Sequence, residues 1–142
     1  MTNEAYLGFQ LLYSLLAPDP TLQSFAPGGV FRDEADPGTA TPYVIVIMQS
    51  PGADSLTMVG VRLLTNPLYQ VKAVGPSSLS SQIANAAAQI DTLLGGEDGL
   101  KNQSIAGGFI AALYRESPLM VGELVNGEKW QNIGGLYRLT IE

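Results

Sequence analysis

The chain has 142 residues, of which 46% are hydrophobic and only 14% charged, and it carries a net charge of −6. A composition of this kind supports one core-bearing domain and excludes disorder, while seven scattered basic residues argue against gripping nucleic acid, which needs clustered Lys and Arg. Cysteine and histidine are absent, which removes disulfides, thiol chemistry, the commonest general base and the commonest metal ligand.

A first helix is expected over residues 3–17. Asn3, Gln10, Ser14 and Ala17 fall at helical spacing, and Tyr6, Leu7, Phe9, Leu11, Leu12, Tyr13, Leu15 and Leu16 fill most of the rest. A helix so apolar around its circumference is buried on more than one side. The prolines of Ala17-Pro18-Asp19-Pro20 stop it. Residues 21–41, rich in Gly, Pro and Asp, read as a loop with one short strand around Val30–Arg32. The next strand, 43–49, lies in "PYVIVIM" and is apolar on both faces. Ser50 to Ser55 make a turn or loop tip. The runs Leu56–Leu64 and Leu68–Val74, separated by Asn66-Pro67, predict adjacent strands or one bent hairpin.

The clearest helix follows Pro76 and Ser77 or Ser78, an N-terminal signal. Leu79, Ile83, Ala86/Ala87, Ile90 and Leu93/Leu94 form its apolar stripe, its alanines allow close approach to a sheet, and Gly95-Gly96 ends it. Gly95 to Ser104 is expected to be a polar loop. The last third reads as strands, with Asn126-Gly127 as a type I′ hairpin turn that needs positive φ at both positions. Leu136 to Ile141 then alternate, with Tyr137, Leu139 and Ile141 on one face. The expected fold is α+β, a mostly antiparallel sheet with two helices packed on one face, ordered α-β-β-β-α-β-β, in a single domain over 1–142.

No apolar run approaches the roughly 18 residues of a membrane span. The start "MTNEAYLGFQ" lacks the basic opening of a signal peptide, so synthesis in the cytoplasm is the default expectation.

Motifs for chemistry are scarce. "GGEDGLKN" (Gly95 to Asn102) lacks the Gly-Lys-Ser/Thr end of a phosphate loop and follows a helix instead of opening one. The acidic group Asp33, Glu34 and Asp36 does not have calcium-loop spacing, and Asp36-Pro37-Gly38 is turn chemistry. Without His there is no Ser-His pair. No catalytic, cofactor-binding or metal-ligating residue is assigned, and the chain is not expected to be an enzyme. Trp130 reads either as a strand residue packing across the sheet or as an interface anchor.

Surface that calls for a partner is the remaining signal. The helices cover one face of residues 43–48, and exposing the other would forfeit several kcal/mol, at about 1.5–3 kcal/mol per large aliphatic side chain. Neighbouring copies could cover that face; so could a later strand or the 21–41 loop. The candidate oligomer-interface residues are Tyr6, Phe9, Tyr13, Tyr43, Ile45, Ile47 and Trp130.

The order of these elements, with "LYSLLAPDP", "GGVFRDEADPGTATPYVIV" and the closing "NGEKWQNIGGLYRLTIE", resembles the tail-completion or tail-terminator proteins of long-tailed bacteriophages, in layout like that of lambda. The resemblance implies a virion protein forming a ring of six copies on the last ring of the tail tube. There it would stop tube polymerisation and offer the surface onto which the head docks, with tail tube protein and head–tail connector or neck protein as partners. DNA would pass through without specific binding, which suits the acidic balance. By the same analogy, Arg32, Asp33, Glu34 and Asp36, with Asp54 in the 50–55 loop, are candidates for lumen or tube contacts. Alternatives are a neck protein or a tail-tube subunit, the latter expected to carry a sheet-extending arm not visible beyond the 21–41 loop. A cellular small-molecule-binding α+β domain is the other class, disfavoured because no convergent polar groups fall on predicted strands.

Overall fold

A computed structural model describes residues 4–52, 54–56, 62–105 and 108–142. The helix expected first is α1, Glu4–Leu16. It buries Leu7, Leu11, Leu12 and Leu16, the i, i+4, i+5, i+9 stripe of a helix laid on a core. The stretch after it is more than a stop. Asp19 and Pro20 begin a second helix, α2, Pro20–Phe25, in which Pro20 occupies the first turn. The Asp19 carboxylate accepts the Leu22 N–H at 2.8 Å, and it also accepts from Gln89 Nε2 at 3.0 Å, tying α2 to α3, Ser80–Leu93. That helix follows a single 3₁₀ turn, Ser77–Leu79, and buries Ile83, Ala86 and Ile90.

The strands are β1 (Val30–Arg32), β2 (Tyr43–Ser50), β3 (Asp54–Leu56), β4 (Arg62–Thr65), β5 (Leu68–Pro76), β6 (Leu100–Ile105), β7 (Gly108–Val125) and β8 (Glu128–Ile141). The centre of the predicted 56–64 strand lies outside the described residues. β1 pairs parallel to β2, then β5 and β8 follow antiparallel. β7 runs along the other side of β8, and β6 along the first part of β7. The β3–β4 hairpin joins at the end of β8 through Thr65 and Ile141.

This overturns the expected mostly antiparallel layer with two helices on one face. The sheet is mixed, has a parallel pair, and curls into a half-barrel. The curl is visible in the contacts of α1, which reaches β1 and β2 at one end of the strand order and β6, β7 and β8 at the other. A flat sheet could not offer its first and last strands to one short helix. The element order also has an extra helix (α2), five strands instead of three before α3, and three instead of two after it, β6 taking the place of the predicted polar loop.

The parallel pair explains how the second face of β2 is covered. Joining two parallel neighbours requires the chain to cross a face of the sheet. Here residues 33–42 make that crossing, and Asp33, Glu34 and Ala35 line one cavity of about 230 Å³ with Ile45, Ile47, Lys72 and Val74. Ile45 is 4% exposed and Val74 likewise. On the helix side, Val44, Val46, Val71, Ala73, Tyr137, Leu139 and Ile141 join the leucines of α1 in one core.

The closing hairpin follows its signal. Asn126 and Gly127 have φ of 51° and 78°, both positive as a type I′ turn demands. What the sequence reading missed is length. β7 has 18 residues and β8 has 14, well beyond the typical strand of about 5–6. β6 pairs with β7 only as far as Leu113. From Tyr114 to Val125, therefore, β7 has no strand on its outer side among the described residues. Its last rungs, Leu124↔Lys129 and Val125↔Glu128, lie beyond Pro76↔Trp130, where β5 ends. The hairpin is an arm, so the expectation that the chain carries no sheet-extending arm is corrected.

Candidate functional site

The candidate interface residues fall into two groups on different faces. The first lies along α1. Tyr6, Phe9 and Tyr13 follow one helical edge, with ring centroids 6.3 and 6.0 Å apart. Tyr6 and Tyr13 are exposed (47% and 46%), and Phe9 is half-buried. The Arg32 guanidinium lies over both Tyr6 and Phe9, 5.7 and 5.4 Å from the ring centres, a cation–π arrangement. Beneath it is a cavity of about 320 Å³ lined by Tyr6, Phe9, Arg32, Asp33, Val46, Met48 and Tyr69. Tyr69 forms the floor, and burial pushes its hydroxyl well above the usual tyrosine range.

The second group lies on the opposite face. Phe31 meets Tyr43 edge-on at 6.2 Å, and Tyr43 meets Trp130 at 6.3 Å. Trp130 thus packs across the sheet, as one of its two sequence readings had it. Tyr43, Ile47 and Trp130 are half-buried and Ile45 is closed off. Asn132, also buried, donates from Nδ2 to Glu123 Oε1 at 3.0 Å. Burial, with the Glu123 charge adding, raises the Tyr43 hydroxyl. Two polar atoms, Trp130 Nε1 and Gln131 Oε1, are buried without a hydrogen-bond partner among the described residues.

The candidate lumen residues do not gather at one place. Arg32 is engaged over the α1 aromatics, and its Nε is 3.9 Å from Asp33 Oδ2. Asp33 and Glu34 begin the crossing between β1 and β2 and line a cavity with Ile45. Asp36 is exposed, and its carbonyl accepts the Thr39 N–H at 3.2 Å in a turn. The backbone of Asp54 opens β3; its side chain lies outside those described. Among the described residues, no group of three or more acidic side chains could hold a metal ion, and no helix is long and apolar enough to cross a membrane.

The sequence reading missed the exposed apolar residues of the arm. Met120 and Leu124 are each 72% exposed, Val121 49% and Tyr114 44%. Met120, Gly122 and Leu124 share one face of β7, opposite Ile133, Gln131 and Lys129. Val121, Glu123 and Val125 share the other. The signal was present in "PLMVGELV", an apolar strand with one charge leading into the Asn-Gly turn. Met48, 40% exposed at the cavity wall, was likewise overlooked.

No protein-family model matches the chain, and no curated protein matches it. A chain from the virion of a native gene transfer agent particle is similar in structure, with a TM-score of 0.68 over 92% of this chain and 91% of that one, at 19% identity. At that identity the likeness establishes a shared fold.

Proposed function

We propose that the chain is a structural virion protein without catalytic activity, and that six copies form a ring on the end of a phage-like tail tube. In this reading the ring stops tube polymerisation and presents the surface to which the head, through a connector or neck protein, docks. DNA passes through its lumen without specific binding. The fold shared with a gene transfer agent virion chain supports a place in a particle.

The observation that carries the ring is the separation of two exposed apolar surfaces. One is the aromatic edge of α1 with its cavity; the other is the tip of the β7–β8 arm. A two-fold dimer would use one patch against itself. Two unlike patches on one chain suit a head-to-tail contact, and such contacts close into rings when the rotation permits. The net charge of −6 suits a passage through which DNA slides.

A second reading, a tail-tube subunit, is favoured by one specific feature, the arm itself. Particles produced without this chain distinguish the two. Loss of the ring protein gives headless tails of uncontrolled length in electron micrographs; loss of a tube subunit gives no tails. Normal virions lacking the chain would contradict both.

A further inference from the structure

We propose that the arm tip of one copy, with Leu124 leading and Met120 behind it on the same strand face, seats in the aromatic cavity beside α1 of a second copy. This deepens the ring reading and rests on it. Three observations identify the occupant as another copy.

The first is position. Tyr69, which lines the cavity, is the second residue of β5, and Pro76, which pairs with Trp130 below the arm tip, ends it. Seven strand steps at about 3.3 Å separate them, roughly 23 Å. An arm therefore cannot fill its own cavity. The second is shape and chemistry. A cavity of about 320 Å³ is an order of magnitude larger than one water's share of about 30 Å³. Its wall of Tyr6, Phe9, Tyr69, Val46 and Met48 suits an aliphatic or thioether side chain. Leu124 and Met120 are the most exposed large apolar residues described, and they lie on one strand face. The third is charge. The tip carries Glu128 and Lys129 as neighbours, and the cavity rim carries Arg32 and Asp33. Lys129 lies opposite Leu124 on the seated face, so seating lets Lys129 meet Asp33. Exposed pairs of this kind add little affinity but fix register.

The absence of cysteine from the chain makes the contact directly testable. Virions are prepared with Leu124→Cys, with Met48→Cys, and with both, then oxidised and run on non-reducing gels. Both positions are exposed, so the substitutions spare the fold. The expected result is a ladder of linked copies, up to six, in the double variant, and single chains in either variant alone. Virions that contain the double variant but show no ladder overturn the seating and leave the virion role standing. Links in the Leu124→Cys variant alone would mean tip-to-tip contact and also overturn it. A chain missing from purified virions overturns the seating together with the role it rests on.

Discussion

Replacing Ile45 with alanine tests whether this chain covers its own second sheet face. Ile45 is 4% exposed and shares the lining of one cavity with Asp33, Glu34 and Ala35. The substitution removes three carbons, worth about 0.8 kcal/mol each in transfer free energy, and leaves a cavity that only partly collapses. The expected loss is about 3 kcal/mol. For a chain of this size that lowers Tm by about 12 °C. The comparison is Leu124→Ala, at a position 72% exposed, where the expected change is within about 0.5 kcal/mol. Urea unfolding followed by circular dichroism at several protein concentrations supplies both numbers. A cost below about 1 kcal/mol for Ile45→Ala, or one that appears only where copies associate, would refute the reasoning. Either result would return the cover of that face to neighbouring subunits.

Other expectations follow from single contacts. Tyr69 and Tyr137 are buried and their hydroxyls are raised above the ordinary tyrosine value, Tyr137 also by Asp91, to which it donates at 3.0 Å. Both stay protonated in the fold at a pH where the unfolded chain has lost those protons, so they stabilise fully below about pH 10. Stability should fall as pH rises from there, by up to about 1.4 kcal/mol per unit for each group; urea midpoints between pH 8 and 11 that stay level contradict this. Asp19→Ala removes the cap of α2 and the link to Gln89 and should cost about 1 kcal/mol. An unchanged denaturation midpoint would show that the cap contributes nothing. Gly127→Val places a branched residue at φ 78° and should cost at least about 1–2 kcal/mol; wild-type stability in the same assay contradicts the I′ assignment.

Much of the local structure could be read from the residues, because periodicity and turn chemistry are local. The leucines of α1, the Ile83/Ala86/Ile90 stripe of α3 and the Asn126-Gly127 turn each declare themselves within a few residues. Pairing partners do not. Nothing in Val30–Arg32 says that it lies parallel to Val44–Val46, yet that choice sends residues 33–42 across the sheet on the side where Ile45 is buried. The interface reading therefore placed Ile45 beside Tyr6 as exposed surface, although one is inside and the other out. Asp19-Pro20 was legible as a helix start as well as a stop, since a capping carboxylate before proline in the first turn is a recognised signal. The polar run at 100–104 became β6 because an edge position needs only backbone partners on one side. The arm tip escaped notice because alternating apolar residues look alike whether their face meets a core or water. The end of β6 at Leu113 leaves Met120 and Leu124 without an outer neighbour, and β5 also stops short of the Leu124 rung.

Imaging the intact particle by electron cryomicroscopy tests the account most directly. One six-fold ring of this chain is expected at the head-proximal end of the tail, each arm tip lying against α1 of the next copy. Copies repeated along the tube, or a particle with no density for the chain, would contradict it.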